Sequence, residues 1–161
     1  MVRTNTNEYV EYLIEEYSDM VYRLAISRTR NKEESEDIYQ EVFLRLAKRV
    51  PEFESKEHEK AWLIRVTINC TKTLLGSKFK NNIEELKENI QFETEEKSSV
   101  YYAILELPLK YRTIIHLFYY EGYKIEEISK ILNVNENTIK TRLSRARENL
   151  KNKMKGGLDD E

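Results

Sequence analysis

A row of basic side chains lies along one predicted helical face near the end of the chain. Its members are Lys140, Arg142, Arg145, Arg147, Lys151 and Lys153. The whole chain carries a formal net charge of -2, so this basic charge is segregated rather than general. Guanidinium and ammonium groups spaced in this way bind phosphates, which indicates a nucleic-acid surface. The alternative is a solvated basic face on an ordinary amphipathic helix.

These basic side chains belong to the second of two predicted helices. A tight turn over 133–135 joins the two helices. The apolar positions that repeat at helical spacing are Ile125, Ile128, Ile131 and Leu132 before the turn, and Ile139, Leu143 and Leu150 after it. Asn135 ends the turn and is a good N-cap for the second helix. Together these features predict a helix-turn-helix, whose second helix enters the DNA major groove.

A second candidate surface lies on a predicted helix from Ser55 to about Leu75. One face of this helix combines aromatic, cationic and amide side chains: His58, Trp62, Arg65, Asn69 and Lys72. Aromatic rings stack unpaired bases, while cations hold the nucleic-acid backbone. A tryptophan that only packs in a core is the alternative, and composition alone favours it.

No arrangement of side chains in the sequence indicates an enzyme. His58 and His116 are isolated, and Cys70 has no paired base nearby in sequence. Neither a phosphate-binding glycine loop nor a metal-ligand cluster occurs, so we expect no catalytic residue, metal or cofactor. The single cysteine excludes an internal disulfide, and no signal peptide or 18-residue apolar run is visible. We therefore expect a soluble, cytoplasmic protein.

The helices that position these two surfaces predict an all-α fold, in keeping with only four Gly and two Pro. The predicted helices before the helix-turn-helix are 8–29, 33–49, 55–75, 98–107 and 109–121. Residues 81–97 are rich in Glu and poor in apolar side chains, so they predict a mobile segment with at most a short helix over 83–90. We predict two small helical domains, 1–78 and 98–155, a flexible acidic linker over 79–97 and a tail over 156–161.

Several short motifs occur along the chain in a specific order. The N-terminal half contains DIYQEVFLRL at 37–46 and AWLIRVTINCTKTLL at 61–75. The C-terminal half contains LPLKYR at 107–112, then EG, then TIKTRLSRAR at 138–147. In this order, with a variable linker between, they resemble the extracytoplasmic-function (ECF) sigma factors, the short members of the sigma-70 family of bacterial RNA polymerase. The resemblance implies a region 2 helical bundle, a region 4 helix-turn-helix and no catalytic activity.

The resemblance also implies roles for residues of the N-terminal domain. The residues that match the helix docking on the largest polymerase subunit are Asp37, Gln40, Glu41 and Phe43. Those that match the segment holding the non-template strand of the −10 element are Trp62, Arg65, Asn69 and Lys72. The loop 51–57, with Phe53, matches the loop that captures a flipped base. Extraction of a base from the stack costs a few kcal/mol, which binding must offset.

In the C-terminal domain, the resemblance places Lys140, Thr141 and Ser144 against base edges of the −35 element. Arg142, Arg145 and Arg147 match positions that face phosphates or pack. Tyr111 and Arg112 are expected to hold the domain's helices and to contact the DNA backbone. Base contacts carry sequence specificity, whereas phosphate contacts set register.

Two departures from the family pattern occur in the first helix of the helix-turn-helix. Lys124 stands where the family places Ser or Thr, which predicts the loss of a cap worth about 1 kcal/mol. Ser129 replaces the usual Ala and is expected to be harmless because of its size.

The implied partners are core RNA polymerase, promoter DNA and an anti-sigma factor, which in this family is often membrane-bound. The acidic linker matches a segment that approaches the polymerase active-site cleft, although a solvated spacer is an equal alternative. Two other interpretations remain open at this stage. One is a helix-turn-helix transcriptional regulator that acts without replacing sigma, and the other is a divergent sigma factor of the toxin-gene or sporulation-linked type.

Overall fold

The computed structural model describes residues 6–74 and 83–159. Every regular element in these two ranges is a helix, which confirms the predicted all-α class. The chain divides into two compact units, residues 1–81 and 82–161, and each is described by itself.

The N-terminal unit is a bundle of three helices. They are α1 (Thr6–Thr29), α2 (Lys32–Lys48) and α3 (Lys56–Leu74), as the apolar periodicity predicted. Side chains from all three fill the core, among them Leu13, Val21, Leu24, Ile38, Val42, Leu46, Leu63 and Ile64. The connection between α1 and α2 is tight because Asn31 caps α2, its Oδ1 accepting a hydrogen bond from the Glu34 N–H at 2.9 Å.

The C-terminal unit contains five α-helices among the described residues. They are α4 (Ile83–Asn89), α5 (Glu95–Leu105), α6 (Leu109–Ile115), α7 (Ile125–Leu132) and α8 (Glu136–Asp159). Apolar side chains of α5 to α8 form its core, including Ile104, Leu105, Leu107, Ile114, Ile115, Ile128, Ile139 and Leu143. The helix-turn-helix predicted from the sequence is therefore present as α7 and α8.

Part of the predicted linker is folded within the C-terminal unit. Helix α4 occupies residues 83–89, and its Leu86 side chain is only 1% exposed. Phe92 packs against Tyr101 and Tyr102, with ring centroids 5.2 and 5.8 Å apart. Helix α4 matches the short helix allowed over 83–90. Phe92 and the Leu86 carbonyl contact Tyr102 of α5, while the Glu side chains of the segment stay exposed. The boundary predicted at residues 78 and 79 lies outside the described residues.

The predicted helix over 109–121 changes character at His116. Residues His116–Tyr120 form a π-helical turn in which the Glu121 N–H donates to the His116 carbonyl at 3.1 Å. The wider turn also brings the His116 ring within 3.1 Å of the Glu121 carboxylate and stacks it on Tyr120. Side chains on an α-helix repeat every 3.6 residues, so helical periodicity does not indicate a contact between residues five positions apart. The His116–Glu121 pair was therefore not predicted from the sequence.

The turn of the helix-turn-helix is stabilised by a side chain that the sequence analysis regarded as harmless. Asn133 adopts a left-handed conformation with φ of 54°, and the Val134 N–H donates to the Ser129 carbonyl at 3.1 Å. The Ser129 hydroxyl then donates to the carbonyl of Val134. At the other end of α7, the Glu127 carboxylate accepts from the Lys124 N–H at 2.9 Å, which partly offsets the missing side-chain cap.

Ser129→Ala is expected to lower the free energy of unfolding of the C-terminal unit by about 0.5–1 kcal/mol. The change removes a part-buried hydrogen bond, while the higher helix propensity of Ala offsets some of the loss. Urea unfolding of the full chain, followed by circular dichroism, measures the effect. Lys130→Ala, at an exposed position of the same helix, is the control. Equal stability of the two variants would contradict the assigned role of the hydroxyl.

Candidate nucleic-acid and polymerase interfaces

The first candidate surface is the exposed face at the start of α8. Asn135 caps this helix, its Oδ1 accepting from the Asn137 N–H at 2.7 Å. Ile139, Leu143 and Ala146 are buried, so the opposite arc faces solvent. That arc carries the predicted base-reading and phosphate-binding residues Lys140, Thr141, Ser144 and Arg145 together.

A cationic groove continues this face onto the start of α6. The groove has a volume of about 380 Å³ and is lined by Lys110, Tyr111, Asn137, Thr138, Thr141, Arg142 and Arg145. Three cations from two helices surround it, which suits a phosphate backbone. Lys110 was not among the predicted site residues, since no periodic pattern links α6 to α8. Its place in the LPLKYR motif was the one signal available.

Arg147 lies in an intramolecular contact rather than beside the other cations. Its Nε donates to the Tyr119 hydroxyl at 2.7 Å, and its guanidinium lies over the Phe118 and Tyr119 rings, 5.3 and 5.6 Å from their centroids. These contacts tie α8 to the π-helical turn. Of the two roles that the family pattern allowed, these contacts support packing for Arg147, whose side chain is nevertheless exposed.

Tyr111 and Arg112 were expected both to hold helices and to contact the DNA backbone. Both are buried, with 8% and 3% of their surface exposed. Their position in the core supports the first of these roles, and Tyr111 also lines the cationic groove. The exposed cation of this motif is their neighbour Lys110.

The second candidate surface combines a loop and a helix of the N-terminal unit. Phe53, in the loop before α3, packs edge-on against Trp62, with ring centroids 5.7 Å apart. Trp62 is half-buried, whereas Arg65, Asn69 and Lys72 are exposed along the same helix at steps of three or four residues. The structure therefore brings the predicted base-capturing loop and the predicted strand-holding face into one surface. Aromatic side chains at one end and cations along the rest are suited to an unpaired strand.

A buried carboxylate positions the start of α3 and therefore this aromatic cluster. Glu59 is 6% exposed, and its two oxygens accept hydrogen bonds from the hydroxyls of Tyr9 and Tyr17. Burial, with the hydrogen bond to Glu59, raises the pKa of Tyr17 well above its ordinary value. The buried role of Glu59 was not predicted, because a carboxylate in a helix is usually solvated. Both tyrosine partners are also distant from it in sequence.

Further along α3, a buried arginine joins it to the end of α1. Arg28 Nε donates to the Thr71 hydroxyl at 2.6 Å, and burial lowers the pKa of Arg28 to about 10. The two polar contacts, at Glu59 and at Thr71, fix α3 at both ends of its candidate binding face.

Glu59→Ala is expected to lower the free energy of unfolding of the N-terminal unit by about 2–3 kcal/mol. The change removes two charge-assisted hydrogen bonds, and the buried Tyr17 hydroxyl then keeps its 3.2 Å contact with the Lys56 carbonyl in place of the carboxylate. Denaturant unfolding of the full chain measures the loss. Glu57→Ala, at an exposed position, should stay within about 0.5 kcal/mol of the unchanged protein. A loss no larger at Glu59 than at Glu57 would show that the tyrosines do not need their acceptor.

The third candidate surface is the outer face of α2. Asp37 and Gln40 are exposed there, and Glu41 forms an ion pair with Arg45 at 2.9 Å. Phe43 is only 7% exposed and packs on Tyr39, so it supports the helix from inside and does not lie on this face. Leu44, by contrast, is 55% exposed. A single exposed leucine is common on protein surfaces, but this one lies beside the predicted docking residues and was not among the predicted site residues.

Across the described ranges, 6–74 and 83–159, the helices are all too short or too polar to cross a membrane.

Comparison with known proteins places both halves of the chain in one family. The model of sigma-70 region 2 matches residues 13–78, and that of sigma-70 region 4 matches residues 97–150. The chain is 33% identical over 139 residues to RNA polymerase sigma factor SigV of Bacillus subtilis, with 83% of each chain covered. It is 30% identical over 166 residues to the ECF sigma factor SigM of the same organism, covering 94% of this chain and 99% of SigM.

A solved structure supports the fold as well. The sigma factor RpoE from Bartonella quintana, determined in complex with the anti-sigma factor NepR, matches with a TM-score of 0.72 at 21% identity, covering 90% of this chain and 96% of that one. The matches in sequence show that the chain belongs to the ECF sigma factors of the sigma-70 family, which are transcription initiation factors and not enzymes.

Proposed function

We propose that this protein binds core RNA polymerase and directs it to promoters by reading two separate DNA elements. The proposal is supported by two separate exposed surfaces of this chain, each with side chains suited to a different form of nucleic acid. The exposed face of α8 suits a duplex major groove. The Phe53–Trp62 pair with Arg65 and Lys72 suits an unpaired strand. An ordinary helix-turn-helix regulator needs only the first.

At the −35 element, Lys140, Thr141 and Ser144 are proposed to contact base edges, since they are exposed on the arc opposite the core of α8. Phosphates are proposed to bind the three cations that line the groove, Lys110, Arg142 and Arg145. In this division the base contacts determine which DNA sequence is bound, and the phosphate contacts determine the register of the protein on the duplex.

At the −10 element, Trp62 and Asn69 are proposed to hold the non-template strand, with Arg65 and Lys72 on its phosphates. Phe53 is proposed to line the site that receives an extracted base. The exposed charged side chains of the loop are three carboxylates, Glu52, Glu54 and Glu57, and one cation, Lys56. Because this net negative charge disfavours phosphates, the DNA backbone is proposed to follow the cationic part of α3. The loop itself therefore fits a base better than a phosphate.

The outer face of α2 is proposed to dock on the polymerase through Asp37, Gln40 and Leu44. Charge complementarity with a basic partner chiefly sets orientation and association rate, while the exposed leucine adds apolar burial. Glu41 contributes through its pair with Arg45, whose pKa is raised by that hydrogen bond. Phe43 stabilises the helix that presents them.

We further propose that an anti-sigma factor controls this protein in the cytoplasm. The structural neighbour RpoE was solved with such an inhibitor, and members of the family are often held by a membrane-bound one. We propose region 2 as residues 1–78 and region 4 as residues 98–155. Of the intervening acidic segment, 79–97, the part from residue 83 onward is partly folded in the C-terminal unit.

Run-off transcription from a promoter library, with purified core polymerase and with or without this protein, tests the proposal. Specific transcripts that appear only when the protein is added would support it, and would report both promoter elements. If no transcripts appear, yet the protein alone shifts a defined duplex, the chain would instead act as a regulator without replacing sigma.

A further inference from the structure

The imidazole of His58 is held in one tautomer by the loop before α3. The backbone N–H of Glu54 lies 3.1 Å from His58 Nδ1. A backbone N–H can only donate, so Nδ1 must be the acceptor. In the neutral ring the proton is therefore on Nε2, which becomes a hydrogen-bond donor.

Two further contacts fix the position of this ring. The Ser55 hydroxyl accepts from the His58 N–H at 3.1 Å and caps α3. Phe53 meets the His58 ring edge-on, with centroids 5.2 Å apart and planes at 90°. Because Phe53 also contacts Trp62, the imidazole belongs to the same aromatic cluster as the proposed strand-holding tryptophan.

The Nε2 donor of His58 has no hydrogen-bond partner within residues 6–74 and 83–159. The ring is half-buried and is not among the buried polar groups of those residues that lack a partner, so the donor can be reached from outside. The neighbouring exposed side chains are the carboxylates of Glu54 and Glu57 and the single cation Lys56, so the local net charge is negative and disfavours phosphate. A neutral acceptor on a base fits this environment better than a phosphate oxygen.

We propose that His58 is a specificity-determining residue whose Nε2–H donates to a carbonyl oxygen on the edge of the base extracted from the −10 element. This inference rests on the proposed function of the loop. Thymine, guanine and cytosine carry a carbonyl oxygen, whereas adenine offers only ring nitrogens and an amino group. The site therefore discriminates against adenine at one position of the −10 element.

Two substitutions of His58 test its two ring nitrogens separately, the Nε2 donor and the Nδ1 acceptor that holds the loop. His58→Asn places an amide oxygen close to the position of Nδ1, where it can still accept from Glu54, but it does not reach the position of Nε2. His58→Gln extends an amide nitrogen toward the position of Nε2 and loses the short contact with the loop. Run-off transcription with core polymerase, on promoters varied at each −10 position, compares them.

For His58→Asn we expect the preference for the best base over adenine to fall about five- to tenfold at a single −10 position, the effect of one hydrogen bond. Preferences at the −35 element should not change. His58→Gln should keep more of that preference while lowering transcription from all promoters alike. The proposal would be overturned if His58→Asn kept the same base preference as the unchanged protein. It would also be overturned if the loss of preference were spread over all −10 positions. Absence of transcripts with the unchanged protein would instead reject the proposed function itself.

The tautomer gives an independent test on the free full-length protein. Nitrogen-15 NMR distinguishes the two ring nitrogens of His58, and we expect the proton on Nε2. A proton on Nδ1 of the neutral ring would overturn the assignment whatever the transcription assays show.

Discussion

Trp62→Ala is expected to reduce run-off transcription about 10- to 100-fold, since stacking on an aromatic side chain contributes about 1–3 kcal/mol per base. The structure shows why the effect should be near the upper end. Trp62 also contacts Phe53, so its removal takes one ring away and leaves Phe53 supported by the His58 ring alone among the ring contacts of the described residues. Binding of the protein to −35 duplex should not change, because that surface lies in the other unit.

Trp62→Phe is the matched variant for this prediction, since it keeps an aromatic face of smaller area. We expect its transcription to lie between those of the unchanged protein and Trp62→Ala. Urea unfolding of all three proteins shows whether the tryptophan acts through folding. If Trp62→Ala lowered transcription only in proportion to its unfolded fraction, the tryptophan would be a core residue, as the alternative interpretation of the sequence held.

The second large effect is expected from cations on α8. Arg145→Ala should weaken −35 binding on all promoters alike and reduce the magnitude of the log–log salt slope by about 1, because one phosphate contact is lost. Lys140→Ala should in addition change the preferred −35 sequence, with a loss of about 1–3 kcal/mol on the best site. Fluorescence titrations of polymerase holoenzyme on −35 duplex variants at several salt concentrations measure both quantities.

Arg147→Ala is the control that the structure supplies for these variants. Its guanidinium contacts Tyr119 and Phe118, so its loss should lower stability and leave the salt slope unchanged. If Arg147→Ala reduced the slope as much as Arg145→Ala, the packing role would be wrong. If Lys140→Ala and Arg145→Ala had the same sequence-independent effect, the division between base and phosphate contacts would be wrong.

Much of the local structure could be predicted because it depends on neighbours in sequence. Repeated apolar positions marked α1, α2 and α3, and Asn135 marked the start of α8. Hydrogen bonds within helices and caps join residues a few positions apart, so a sequence pattern contains both partners. The same holds for the start of α8, where the exposed side chains Lys140, Thr141, Ser144 and Arg145 share one arc. The single basic face predicted from the sequence does not include Arg147, which packs on Phe118 and Tyr119.

Contacts between distant residues account for most of what the sequence analysis missed. Tyr119 holds Arg147 across 28 positions, and Tyr9 reaches Glu59 across 50. In the sequence, Leu86 is an isolated apolar residue in an acidic linker, but in the structure its side chain is buried. Helical periodicity predicts that a residue lies on a face, but not which element covers that face.

By itself, the sequence determined the all-α class, the helix-turn-helix and the family, because these depend on spacing and on the order of motifs. Only the tertiary structure decided which residues of each motif are available to a partner. It buried Phe43 and exposed Leu44 on the same helix, and it joined Phe53, His58 and Trp62 into one cluster. The physical reason is that exposure and side-chain hydrogen bonding depend on the packing of separate elements, which no local pattern contains.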